Sequence, residues 1–303
     1  MKLSFRKFSC VRNDILVIMT KELEKKVNQA IKLIQSASKI ASEHGQPLEV
    51  AYSGGKDSDV ILELVRMANV EYRAIYKNTT IDPPGTIRHA LENGCEIIQP
   101  KHTFYDLIKK RGFPSRFVRF CCSELKEYKV LDYAILGIRK DESPKRAKLY
   151  KEPELCRVYS KKSKVRQYFP ILDWTKDDVT EFIRERGIKC HKLYYDDDGK
   201  FHVERRLGCM CCPIASRKHR INEFKLHPQM VKFYCRGGQY HIDNQHNKGI
   251  NKFKDVYELF VMNVFCDGIK DFNERFKRKG MLFDDAIDCK KFIEDYFNIK
   301  FND

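Results

Sequence analysis

AYSGGKDSDV, residues 51–60, sets two glycines, a lysine and an aspartate between an apolar run and a helix-like run. PLEVAYS reads as a short buried strand leading into it, and DVILELVRMAN as a helix behind it. Flexible residues at such a junction suit a phosphate that must be approached closely. Glycines remove the Cβ atoms that keep backbone N–H groups from converging on oxygen. A helix starting just behind the loop adds unpaired N–H groups and a partial positive charge. Ser53 and Ser58 offer hydroxyl donors and Lys56 a full charge, while Asp57 could cap the helix or help hold a magnesium ion. The spacing fits neither GxxxxGK[ST] nor GxGxxG. On these residues alone, a glycine turn with capping residues is the plainer alternative.

Outward from the loop the pattern alternates. Residues 22–45 carry Leu23, Val27, Ile31, Ile34 and Ile40 near helical spacing and stop at Gly45. Strand-like YRAIYKN precedes helix-like GTIRHALENG, strand-like CEIIQP precedes TFYDLIKKRG, and AILGIR reads as a further strand. Strands alternating with helices predict an α/β fold, an open, mostly parallel twisted sheet flanked by helices. Ligands bind such sheets beyond the carboxyl ends of the strands, where the loop would sit. Residues 144–170 are basic and contain Pro and Ser, which reads as a mobile excursion over the surface. Thr175 followed by Asp178 predicts a capped helix start, with Gly187 as its stop. The expected organisation is a poorly ordered extension (1–21), a nucleotide-binding α/β domain (22–213) and a mostly helical C-terminal extension (214–303).

With 42% hydrophobic and 33% charged residues, the 303-residue chain reads as soluble and globular. No run approaches the roughly 18 apolar residues of a membrane span, and no cleavage site follows the charged start. A net charge of +16 invites polyanions, nucleotides or nucleic acid. Twelve cysteines without a secretion signal suggest a reduced, cytoplasmic chain whose cysteine clusters are metal ligands or redox groups. Cys121 and Cys122 are adjacent, and Cys209 and Cys212 form a CxxC with Cys211 inside it. Four thiolates from two short segments suit tetrahedral zinc or an iron–sulfur cluster, and spacing alone does not choose. Cys211 leaves the register open. The other cysteines are isolated.

SGGKDS resembles the pyrophosphate-binding loop of the adenine-nucleotide alpha-hydrolase superfamily. NTTIDPPGT (78–86), FCCSELK (120–126), GIRKDESPKR (137–146), FPILDWTKDDVTEFI (169–183) and the stretch leading into GCMCCP resemble, in order, segments of the phosphoadenosine phosphosulfate (PAPS) reductase family. The resemblance covers roughly residues 47–213. It implies a nucleotide cradle of Ser53, Gly54, Gly55, Lys56, Asp57 and Ser58, with Thr79 and Thr80 near the adenosine or its phosphates. Gly137 opens the Gly-x-Arg stretch, and Arg139 and Arg146 would face the anion. Lys56, Asp57 and Arg139 are the implied catalytic groups. The CC…CxxC set is similar to the [4Fe–4S] ligands of adenylylsulfate reductases within the family, which makes Cys121, Cys122, Cys209 and Cys212 the implied ligands, with zinc as the alternative.

The family's reductases use a cysteine in a C-terminal Glu-Cys-Gly-Leu-His-like tail, and this chain has none. Its late cysteines lie in FYCRGGQ, VFCDGI and IDCKKF. Cys235, beside Arg236, has the most favourable setting for a low pKa. Three readings follow. One is a reductase of PAPS or adenylylsulfate served by a thioredoxin-like donor. Another is an ATP-pyrophosphatase-type sulfurtransferase that adenylates DNA or tRNA and takes sulfur from a donor such as a cysteine desulfurase. The third is a non-catalytic nucleotide-sensing or nucleic-acid-binding protein with a structural zinc or cluster.

Overall fold

The computed structural model describes residues 19–160, 163–244, 253–277 and 287–301. Most of the expected N-terminal extension lies outside the described residues. Helix α1 (Lys21–Glu43) begins where the Thr20 side chain accepts from the Leu23 N–H, and it buries Leu23, Val27 and Ile34. Then come β1 (Leu48–Tyr52), α2 (Lys56–Ala68), β2 (Tyr72–Lys77), α3 (Thr86–Glu92), β3 (Glu96–Ile98) and α4 (Phe104–Arg111). The short helix α5 (Phe120–Leu125) precedes β4 (Tyr133–Ile135).

The strands form a six-stranded sheet in the order β3-β2-β1-β4-β6-β5, once β5 (Glu154–Ser160) and β6 (Ser163–Tyr168) are added. All neighbours are parallel except β5 and β6. From β1 the chain first builds outward through β2 and β3, then returns to place β4 on β1's other side. The order therefore reverses between β1 and β4, and the glycine loop follows β1 at that switch point, where open α/β sheets hold ligands.

Residues 144–170 are not a surface excursion. After α6 (Pro144–Leu149) they form the β5–β6 hairpin, and β6 lies inside the sheet between β4 and β5. The basic residues hid a period of two: Val165 and Gln167 are buried while Lys164 and Arg166 face out. In edge strand β5, Leu155 and Val158 stay exposed, so no apolar face marked it in the sequence.

Helix α7 (Lys176–Arg186) starts with the expected capping box of Thr175 and Asp178 and ends at Gly187 with φ of 61°. It packs Val179 and Phe182 into one core with α1, α2 and the inner strands. Helices α8 (Arg217–Leu226), α9 (Pro228–Asn244), α10 (Val256–Phe265), α11 (Ile269–Phe276) and α12 (Cys289–Phe297) build a second core. That core, with Phe224, Tyr234 and Phe260 at its centre, also takes in Phe104, Ile108 and Phe120 from α4 and α5. The C-terminal helices thus share their apolar surface with the segment that carries Cys121 and Cys122. Among the described residues no helix is long and apolar enough to cross a membrane.

Candidate functional site

Strand β1 ends in buried Tyr52, and the chain turns through Gly54 at φ of 77°. A Cβ on Gly54 would sit 2.7 Å from Thr86 Cγ2 and 3.2 Å from Leu207 Cδ2, so this turn needs glycine for both its backbone angle and its space. Gly55 then stands as the N-cap of α2, without a side chain to cover the helix's first N–H groups. The Ser58 hydroxyl donates to the Gly55 carbonyl at 2.7 Å and receives from Ser53 Oγ at 3.2 Å. Buried Ser58 is therefore engaged in holding the loop's own shape.

Behind the loop runs a chain of charges. Arg139 Nε donates to Asp57 Oδ1 at 2.7 Å, and the Lys56 ammonium lies 3.0 Å from Asp57 Oδ2. Arg139 is only 1% exposed, and its Nη1 also reaches Asp141 Oδ2 at 3.2 Å and the Trp174 carbonyl at 3.4 Å. Both Asp57 oxygens are thus engaged, and Arg139 braces the loop from behind. Gly137 makes this possible: a Cβ there would lie 2.8 Å from the Asp57 carbonyl oxygen. Arg146 is half-exposed and pairs with Glu142, whose carbonyl also accepts from Arg206 Nη2 at 2.8 Å.

Three contributors to this site went unread in the sequence. The Lys56 ammonium lies 5.4 Å from the centre of the Tyr194 ring, and the Tyr194 hydroxyl accepts from the Leu207 N–H at 3.3 Å. Beneath the loop, buried Asp59 accepts from the Tyr52 hydroxyl and lies 3.0 Å from His89 Nε2, tying β1, α2 and α3 together. Burial raises the Asp59 pKa, against the His89 and Tyr52 hydrogen bonds that lower it. The third is Lys126.

Lys126 lines two neighbouring cavities. One, of about 200 Å³, runs along the sheet face from Ser53 past Lys77 and Gln167. The other, of about 30 Å³, is lined by Cys121, Cys122, Cys209 and Cys212 together with Thr79. The Lys126 ammonium is 3.5 Å from Asp82. Desolvation works against its charge, but Cys209 and Asp82 outweigh that and hold its pKa above the ordinary lysine value. Thr79 is buried, with Cys209 Sγ 3.8 Å from its hydroxyl. Thr80, at φ of 60°, accepts from the Phe104 N–H at 2.7 Å. Both threonines therefore join the loop after β2 to the thiols and α4.

The four expected cysteines line one cavity, and Cys211 is not among its lining residues. Cys211, at φ of 54°, turns away into the second core, its N–H donating to Glu223 Oε2 at 3.0 Å and its carbonyl accepting from Arg220 Nε at 3.1 Å. The Met210 N–H donates to the Ile81 carbonyl at 2.9 Å, docking the CxxC on the loop after β2. Cys121 hydrogen-bonds to Cys122, which draws the Cys122 pKa below that of a free thiol and pushes that of Cys121 above it. Even so, no three His, Cys, Asp or Glu side chains among the described residues take up metal-holding positions. What fits a metal is the donor set: four soft sulfur atoms around one largely apolar cavity, with a cation beside them.

The remaining thiols are placed differently. Cys235, Cys266 and Cys289 are buried in the second core. Contrary to the expectation for Cys235, burial raises its pKa; it pushes Cys266 up to about 11 and Cys289 up to about 12. Cys95 and Cys190 are buried in the first core, and Cys156 is exposed on edge strand β5.

Known proteins resemble the chain over this same region. A family model described as the phosphoadenosine phosphosulfate reductase domain matches residues 47–215, more than half of the chain. An uncharacterized protein of Methanocaldococcus jannaschii is 27% identical over 69% of this chain and 51% of its own length. One from Escherichia phage 186 is 35% identical over 44% of this chain and 41% of its own. The chain thus spans about half the length of these two relatives or less. Sulfate adenylyltransferase subunit 2 of Shewanella pealeana is 26% identical over 72% of this chain and 82% of its own length. A crystal structure of PAPS reductase from Candida auris, a phosphate complex, matches with a TM-score of 0.40 and 18% identity, covering 64% of this chain and 97% of that one. Across the strand, loop and cysteine segments described above, this chain is a member of the phosphoadenosine phosphosulfate reductase domain family.

Proposed function

We propose that the chain is an adenylyl-transferring enzyme that binds ATP at residues 53–58 and serves sulfur chemistry. The observation that carries this reading is the placement of the thiols. Reducing a sulfonucleotide by thiol attack needs a thiolate that can reach the sulfur. Among the described residues outside the four-cysteine cavity, Cys235, Cys266 and Cys289 are buried among the C-terminal helices with raised pKa values, and Cys156 stands on β5, three strands from β1. The cavity thiols, Cys122 among them, are taken as ligands and not as nucleophiles. The name of the sulfate adenylyltransferase relatives agrees, since adenylyl transfer is the chemistry in it.

In the proposed reaction an acceptor oxygen attacks the α-phosphorus, the bond to the bridging oxygen breaks, and pyrophosphate leaves with the electron pair. The N–H groups at the start of α2 would hold the phosphates, and Lys56 would offset the charge that builds on the leaving group. Arg139 would keep the loop in place through Asp57. Lys126 borders both the cavity that reaches Ser53 and the thiol cavity and would supply positive charge there, while Thr79 lines the thiol cavity. Cys121, Cys122, Cys209 and Cys212 would hold a [4Fe–4S] cluster, or zinc as the other four-thiolate choice. When bound, such a cluster supplies redox or sulfur-handling chemistry.

The test uses protein purified without oxygen and incubated separately with ATP and with PAPS plus a thiol reductant, the products being resolved by chromatography. With no other acceptor added, water takes the adenylyl group, and AMP and pyrophosphate from ATP are expected. Sulfite and adenosine 3′,5′-bisphosphate from PAPS, with ATP untouched, would instead establish a reductase. Tight nucleotide binding with neither product would establish a non-catalytic sensor. Metal analysis of the same protein is expected to give about four irons per chain, falling to near none in Cys209→Ser. One zinc per chain would replace the cluster assignment.

A further inference from the structure

Two short segments adjoin the thiol cavity in sequence, and Pro213 of the second lines it. Residues 112–119, GFPSRFVR, lead directly into Phe120, Cys121 and Cys122, and residues 213–219, PIASRKH, follow Cys212. Arg116 Nη2 joins them, donating to the carbonyls of Ile214 and Ala215 at 3.2 and 3.0 Å. The first segment is a tight turn, in which the Ser115 N–H donates to the Val118 carbonyl at 3.1 Å and the Val118 N–H to Ser115 Oγ at 3.1 Å.

That braced turn holds Phe117 93% exposed, beside Val118 at 56% and Ile214 at 42%. Ring burial is the usual fate of phenylalanine, and here the ring sits at the tip of a hydrogen-bonded turn, out in solvent. Within the two segments the charge has one sign. Arg116, Arg119, Arg217 and Lys218 are all exposed, and neither segment contains an aspartate or glutamate. The carboxylates that reach this surface come from elsewhere: Asp267 pairs with Arg217, and Glu223 lies 3.6 Å from His219.

We propose that this surface binds single-stranded nucleic acid, with a base stacked on Phe117 and the phosphates over Arg119 and Lys218. A lone exposed ring among cations matches the combination that holds single strands, where stacking accepts any base and basic groups follow the backbone. The net charge of +16 points to the same partner. The cations that surround these three apolar side chains suit a polyanion better than a folded partner or a bilayer, which would need a continuous apolar patch. The role rests on the adenylyl-transfer reading: a strand seated here would lie beside the thiol cavity and would serve as the acceptor.

The experiment measures fluorescence anisotropy of labelled, unstructured DNA and RNA strands about 20 nucleotides long, longer than one binding site. The matching duplexes serve as competitors, and each titration is repeated over a salt series. The full chain is expected to prefer single strands, with affinity falling steeply as salt rises. Phe117→Ala should weaken binding about tenfold, and Arg119→Ala should lower the slope of log affinity against log salt by about one. A wild-type-like affinity in Phe117→Ala, or a preference for duplex, would overturn the proposal. Phe117 contributes little to the core, so an unchanged melting temperature in the variant excludes misfolding as the cause. ATP cleavage is assayed on the same preparations with and without oligonucleotide. Cleavage without Phe117-dependent binding removes the surface and leaves the reaction; Phe117-dependent binding without cleavage does the reverse.

Discussion

A Lys56→Ala variant is expected to bind ATP about a hundredfold more weakly than the native chain, the size of one lost charge-assisted contact to phosphate plus its local consequences. Lys56 is the cation nearest the start of α2, held between the Tyr194 ring and the Asp57 carboxylate. Removing it takes a positive charge from the phosphates and leaves Asp57 with Arg139 as its remaining partner. The site then carries more negative charge where an anion must sit. Lys56→Gln should behave nearly as badly, because it keeps a donor and loses the charge. Isothermal titration with ATP measures both. An affinity within twofold of the native value would mean that residues 53–58 are a structural turn and that the nucleotide, if one binds, lies elsewhere.

Gly137→Ala should be almost as damaging, for a reason of space. The added methyl would lie 2.8 Å from the Asp57 carbonyl oxygen and 2.9 Å from its carbon. Both are backbone atoms, so no rotamer change relieves the overlap. Either the end of β4 or the first turn of α2 must move, at a cost of roughly 1–3 kcal/mol. Movement there separates Arg139 from Asp57 and alters the loop that would hold the phosphates. The melting temperature is expected to fall by several degrees, and ATP affinity with it by tenfold or more. Gly208→Ala, where nothing lies within 4 Å of the added atom, is the matched control for stability. If Gly137→Ala melts and binds ATP as the native chain does, the close approach of these two segments is not what shapes the loop.

Much of the framework was legible because it is local. The spacing of Leu23, Val27 and Ile34 marks a helix by itself, as do the Thr175–Asp178 cap and the Gly187 stop, each of which acts within a few residues of its own position. Strand β6 was missed because its solvent face is basic, and within Lys164–Gln167 its buried positions, Val165 and Gln167, lie two apart with basic residues between and before them. Cys235 was misread for a related reason: Arg236 is its neighbour in sequence, but the thiol itself is enclosed by the second core, and burial outweighs an adjacent charge.

By itself the sequence determined that a strand enters a glycine loop and a helix leaves it, that strands and helices alternate around that loop, and that two cysteine pairs stand ready for soft ligands. Those features follow from backbone preferences and short-range spacing. Only the tertiary structure decided that Asp57 is clasped by Arg139 and Lys56, that Cys211 turns away while Cys209 and Cys212 face Cys121 and Cys122, and that Lys126 borders both cavities. Each of those outcomes depends on the close approach of segments far apart in the chain. Such an approach is set by how the sheet and the two cores pack, and local spacing carries no record of it.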